Sequence, residues 1–216
     1  MKVMFYVVGV LLWVLCSGCS TISVTHDQLP YPANNYTDKI TVYSTAAGAR
    51  PHAIGQRKMP YLAWIPVGAI LADKSVNSQM MEDIKGILTN IGYDTSVIRR
   101  SDVRTAPTVN CIIRRYGFKN YPMFFPACWW SGRIIVEVQL ISVSGQVVWD
   151  KEFMAKGMSG GLGGYDQAIT QANTNILNYM VDALSSEEFH AALVNAANNT
   201  QVMVPLVIKK SRYEKE

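Results

Sequence analysis

The sequence predicts an α+β domain: a mostly antiparallel sheet of about five strands, with two helices packed on one face. Three observations carry this. Residues 133–156 alternate with period two about a Ser144-Gly145 turn. Residues 76–91 place Val76, Met80, Ile84, Ile87, Leu88 and Ile91 at helical spacing. Residues 165–184 repeat that spacing with Ile169, Ala172, Ile176, Met180 and Leu184.

Taken in order, the chain starts with Met1-Lys2, an apolar run over residues 3–15, and Cys16-Ser17-Gly18-Cys19. A charged start, an apolar stretch of about 7–15 residues and small residues at the end describe a signal peptide, here residues 1–18. Such a run spans ~20 Å as a helix, short of the ~30 Å hydrocarbon core, so a permanent span is not expected. Residues 19–38 are polar and carry Pro30, Pro32 and Asn34-Asn35, which reads as a tether.

The domain proper is expected over residues 39–197. Residues 39–44 are β-branched and alternate, which suits a first strand. Residues 45–59 hold Gly48, Pro51 and Gly55 and read as loop. Residues 60–72 are very apolar but broken by Pro60 and Pro66, and too short to cross a bilayer. Asp73 and Ser75 are caps for the helix at 76–91, and Gly92 closes it. Residues 93–99 and 108–116 read as a second and third strand.

In the hairpin, Val143 is expected to face Gln146. Leu140 then opposes Trp149, Val138 opposes Lys151, Val136 opposes Phe153 and Ile134 opposes Ala155. That face is apolar and meets the helices; Glu137, Gln139, Asp150 and Glu152 share the wetter one. Residues 157–164 are glycine-rich and read as a flexible linker. Asp166 starts the second long helix, residues 187–197 add a short one, and residues 198–216 read as a poorly ordered tail.

Composition narrows the function classes. Hydrophobic residues make up 49% and charged residues 17%, enough apolar surface to close a core and too much for wholesale disorder. A net charge of +4 gives nucleic acid no claim as partner. A dinucleotide fingerprint beginning at Gly161 and Gly163 fails, because its last position is Asp166. His26, His52 and His190 are scattered, no G-x-S-x-G element is present, and Glu137 and Glu152 point at solvent. No enzyme, metal or cofactor is expected.

Two features exceed this background. One is aromatic, Pro-broken segments holding Tyr61 and Trp64, and Phe124, Phe125, Trp129 and Trp130. They either cover the core or dock on a partner or bilayer. The other is basic: Arg99, Arg100, Arg104, Arg114, Arg115, Lys119 and Arg133 stand against Asp102 alone. They form a solvated sheet edge, or contact anionic lipid, lipopolysaccharide phosphates or an acidic partner face.

Leu15-Cys16-Ser17-Gly18-Cys19 resembles the bacterial lipoprotein lipobox, with Cys16 standing where Leu is usual. The resemblance implies cleavage before Cys19 and acylation of Cys19, which then holds the chain to a membrane. Ser20 after that Cys implies the outer membrane, facing the periplasm. Cys111 and Cys128 then remain in a disulfide-permissive compartment, either as a pair across a hairpin or as two buried thiols.

The element order, with residues 108–113 and the hairpin at 143–149, resembles small periplasmic lipoprotein domains. These are the YajG-like, ABC-transport auxiliary, LptE, and CsgG or TolB N-terminal types. The resemblance implies a non-catalytic accessory or structural subunit of an envelope transport, secretion or assembly complex. Its partners are an envelope protein or further copies of itself; the alternative is a carrier of lipid or lipopolysaccharide. No functional residue transfers from these families by motif.

Overall fold

The computed structural model describes residues 20–32, 36–46, 52–59, 62–98, 105–122, 128–161 and 164–198. The elements run β1 (Ser20–Ile22), β2 (Lys39–Ala46), β3 (Ala53–Met59), β4 (Leu62–Ala72), α1 (Val76–Ile91), β5 (Asp94–Val97), β6 (Thr108–Pro122), β7 (Cys128–Ile141), β8 (Val147–Gly160), α2 (Tyr165–Leu184) and α3 (Glu187–Asn198). The signal peptide expected over residues 1–18 and the tail expected beyond Asn198 lie outside the described residues.

The α+β class holds, but the single sheet divides into two. One has three strands in the order β1-β4-β3, the other five in the order β5-β2-β6-β7-β8. Both are mixed. β2 runs parallel to β5 and β6, while β6, β7 and β8 are antiparallel. β1 is parallel to β4.

α1 forms where its signals stand. The Ser75 hydroxyl accepts from the Ser78 N–H at 3.2 Å, and Gly92 at φ 117° closes the helix through Leu88 and Thr89 carbonyls. Its six spaced apolar residues are all buried. α1 packs against β2 and β5, and α2 against β7 and β8. Between them lie Val109, Cys111 and Ile113 of β6 with Ile134, Val136, Val138 and Leu140 of β7. Each such side chain contributes ~1.5–3 kcal/mol on burial.

The hairpin register is the expected one up to Leu140–Trp149. It then slips: Ile141 pairs with Val147, and the Ser142 N–H donates to the Gln146 carbonyl at 2.8 Å. The turn is wider than two residues because the buried Ser142 hydroxyl bonds Ser144 at 2.8 Å and accepts from the Gln146 N–H at 3.1 Å.

Three readings are corrected. Residues 157–160 are not linker but the end of β8. Gly157 pairs with Gly132, and a Cβ at either would fall 2.2 and 2.4 Å, respectively, from the Ala168 carbonyl oxygen. These glycines let α2 descend onto the sheet. Along the outer edge of β8, the Met158 N–H donates to Gln171 at 2.8 Å and Asn175 donates to the Lys156 carbonyl at 3.0 Å.

Residues 53–59 and 62–72 are not loop but the paired strands β3 and β4. Pro66 is tolerated because the ladder is already irregular there, with register shifts on either side of Lys58. The hairpin crosses β6 closely: a Cβ on Gly55 would meet the Phe118 ring at 2.5 Å, and one on Gly117 the Ile54 carbonyl oxygen at 2.4 Å.

Residues 22–29 of the expected tether, finally, are part of the body. Val24 and Leu29 are buried. The Ile22 carbonyl accepts from the Asp73 N–H at 2.9 Å, the Asp27 N–H donates to Thr174 Oγ1 at 3.0 Å, and Asn173 donates to the Thr25 carbonyl at 3.3 Å. Their partners lie 50 and more residues away in sequence, so no local pattern announces them.

This strap also carries His26 to Asp83, Nε2 to Oδ1 at 3.8 Å. Burial pushes the Asp83 carboxyl above its ordinary range, opposed by the hydrogen bond from Gln79 and the charge of His26. The fold therefore favours protonated Asp83; that contribution is full below the ordinary carboxylate pKa and is lost as pH rises through the raised one. Asp83→Asn keeps an acceptor for Gln79. It is expected to melt higher than the parent at about pH 7, with the gap closing towards about pH 3. Thermal melts across that range check this; a gap that widens on acidification would contradict it.

A candidate docking face

β6 changes face midway. Ile113 pairs with Val136 and Arg115 with Ile135, leaving Arg114 as an extra residue in a bulge. Before the bulge Val109, Cys111 and Ile113 point inward; after it Phe118 does. The bulge therefore keeps both Arg114 and Arg115 exposed, where strict alternation would bury one of them. Arg114 Nε donates to Glu137 Oε2 at 2.9 Å, joined by its Nη2, and Gln139 donates to the other Glu137 oxygen at 2.7 Å.

Beyond the bulge the outward positions form four rungs. Arg115, Ile135 and Met154 make the first, and Gly117, Arg133 and Lys156 the second. Lys119, Ser131 and Met158 follow, then Tyr121, Trp129 and Gly160. No acidic residue stands in them. Tyr121 is 55% exposed, Trp129 47%, Met154 49% and Met158 64%, so four large apolar side chains share one surface with four cations. The Arg133 guanidinium lies against Met154, Nη2 to Sδ at 3.1 Å. The other half of the same face is acidic, with Glu137 opposite Glu152 and Gln139 opposite Asp150. The face is thus split by charge, and its cationic half carries the exposed aromatics.

The structure sorts the expected site residues. Arg114, Arg115 and Trp129 come together on this face. Trp130 does not: it is buried, with its ring edge-on to Phe118 and Tyr165 and its Nε1 donating to the Gly161 carbonyl at 2.8 Å. It is core, because successive residues of a strand face opposite ways. Trp64 lies within β4. Cys19, Tyr61, Arg99, Arg100, Arg104, Phe124 and Phe125 lie outside the described residues.

Of the two cysteine readings, the register excludes the pair. Cys111 pairs with Val138 and Cys128 with Pro122, so the register sets them ten residues apart along β7. That is ~33 Å at about 3.3 Å per residue, against the ~7 Å limit between Cα atoms in a disulfide. Cys111 is buried in the core.

Met154, Lys156 and Met158 escaped the sequence reading. Their signal was there: continuing the hairpin register from Val136–Phe153 puts them on the same side as Arg133 and Ile135. Among the described residues no cluster of His, Cys, Asp and Glu has metal-site geometry. No described helix is long and apolar enough to cross a membrane.

No protein-family model matches the chain, and no curated protein does either. Its fold is similar to that of a Xanthomonas campestris protein assigned to family DUF330. The two share 14% identity and a TM-score of 0.61, over 80% of this chain and 99% of that one. The PelC dodecamer of Paraburkholderia phytofirmans gives 15% identity and a TM-score of 0.41, over 72% and 92% of the two chains. A minor lipoprotein from Acinetobacter baumannii gives 9% identity and 0.40, over 72% and 95%. The first likeness shows a shared fold.

Proposed function

We propose that this chain is a lipid-anchored, non-catalytic accessory or structural subunit of a cell-envelope transport, secretion or assembly complex. It acts by protein binding. Cys19 carries the acyl group, at the periplasmic side of the outer membrane, and the cationic half of the sheet face carries the contact. One observation supports the contact above others: Tyr121 and Trp129 are cross-strand partners, half exposed, among Arg115, Lys119, Arg133 and Lys156. Aromatic and Arg side chains dominate binding energy at protein interfaces, and monomers seldom leave such groups uncovered together. The cations set orientation and favour an acidic partner face.

The same cations support a second reading, a carrier that holds anionic lipid or lipopolysaccharide. Purification of the mature chain from native membranes in mild detergent separates the two. Stoichiometric protein partners lost from a Tyr121→Ser, Trp129→Ser variant of unchanged melting temperature are the expected result. Bound lipid lost on Arg115→Glu, Arg133→Glu, with no protein partner, favours the carrier. A partner complement unaffected by any of these substitutions removes the face from both readings.

A further inference from the structure

The charges on the open face of the five-stranded sheet are ordered as well as divided. On β7 successive outward positions are Glu137, Ile135 and Arg133. On β8 their partners are Glu152, Met154 and Lys156. Both strands therefore read acid, apolar, base. A half-turn about the Ile135–Met154 rung, with its axis lying across the strands, inverts that order. Each acid then falls on a base, each base on an acid, and the apolar rung on itself.

A face of one sign suits a partner of the other. A face with both signs, inverted about an apolar centre, suits a second copy of itself, because a two-fold contact uses the same patch on both sides. The charged groups are open to such a contact. Among the described residues neither Glu152 nor Lys156 has an ion-pair partner, and both are exposed. Arg133 has the Met154 sulfur against its Nη2, and its Nε is buried with no hydrogen-bond partner among the described residues. Met154, on the central rung, is 49% exposed.

The packing is that of two stacked sheets, ~10 Å apart, a gap that Glu facing Lys or Arg bridges. β7 runs antiparallel over β7 of the second copy, and β8 over β8. The five rungs from Gln139 to Ser131 overlap fully, with Ile135 at their middle. At ~95 Å² per rung across three strands, they cover ~480 Å² per copy. The Tyr121–Trp129 rung comes to the level of Val147 in the other copy, itself 48% exposed. Counting these ends, the contact is ~650 Å² per copy, at the lower end of the ~600–1,000 Å² per partner of specific interfaces. At the β6 end of the central rung Arg115 meets its own copy, with the opposing Glu137 one rung away to offset the repulsion.

We infer that this face pairs two copies of the chain in a two-fold, face-to-face dimer. Glu152 of each copy meets Lys156 of the other, and Glu137 meets Arg133. The inference rests on the reading that the face binds protein, and names the protein it binds.

The test measures the protein mass of the full chain, purified from membranes in mild detergent, by sedimentation over a concentration series. The expected result is a dimer whose dissociation constant rises about tenfold or more in Glu152→Lys, and likewise in Lys156→Glu. Mixing the two variants puts Lys over Glu at both contacts, so the mixture regains a dimer as tight as the parent, with one chain of each kind. Both positions are exposed, and melting temperatures equal to the parent's verify that the variants fold. Losses in the single variants without recovery on mixing overturn the two-fold register. A dimer indifferent to both substitutions places self-pairing elsewhere and overturns it too. A chain that stays monomeric also overturns it. Other protein partners, still lost on Tyr121→Ser, Trp129→Ser, then leave the docking reading standing; their absence removes both.

Discussion

Trp130→Ala is expected to cost about 3–5 kcal/mol, whereas Trp129→Ala, one residue away, stays within about 0.5 kcal/mol. Trp130 fills the space between Phe118 and Tyr165, with ring centroids at 5.6 and 5.3 Å, and those two rings stack at 5.9 Å. Truncation removes the largest member of this trio and leaves a cavity that Gly164, packed beside the indole, is too small to fill. It also strips the Gly161 carbonyl of its donor. Trp129 has half its surface in water and loses little on folding when truncated. Urea unfolding of the two variants compares them through their midpoints at constant slope. Equal costs would mean that the strand faces are assigned the wrong way round.

The second large effect comes from adding one methyl group. Gly157→Ala puts a carbon 2.2 Å from the Ala168 carbonyl oxygen and 2.6 Å from the Ala172 nitrogen. Both are backbone atoms of α2, so no side chain can turn aside; the helix must lift from the sheet. Overpacking of this kind costs about 3 kcal/mol. Gly86→Ala is the internal control. It lies in α1 with nothing within 4 Å of its would-be Cβ, and it should stabilise by about 0.4–1 kcal/mol. Thermal melts of both read the contrast directly. If Gly157→Ala proves as benign as Gly86→Ala, α2 does not sit as close to β7 and β8 as described.

What the sequence made legible was local. α1 carries its caps and its apolar stripe within eighteen residues, and the β7–β8 register follows from one turn and one alternation. The β3–β4 hairpin was hidden because Gly55, Pro66 and Gly68 look like loop residues; their meaning is a close crossing of β6 and a broken ladder. The strap was hidden because its partners are Asp73, Asn173 and Thr174, far along the chain. At the docking face, the inward turn of Trp130 and the outward turn of Trp129 could be read by continuing the period-two pattern from Ile134. The pairing of Arg114 and Arg115 on one side could not, since no residue marks the bulge that permits it.

The side-chain bonds from α2 to the rim of β8 bear on how copies of this chain behave when crowded. Strand-to-strand polymerisation needs a run of unclaimed amide and carbonyl groups along an outer strand. On β8 the far end is sealed by Gln171 and Asn175, and the middle carries Asp150, Lys151 and Glu152, which repel a copy aligned alongside. The opposite border, β5, offers four residues, too few to template growth. Neither border of the five-stranded sheet therefore invites fibre-like addition.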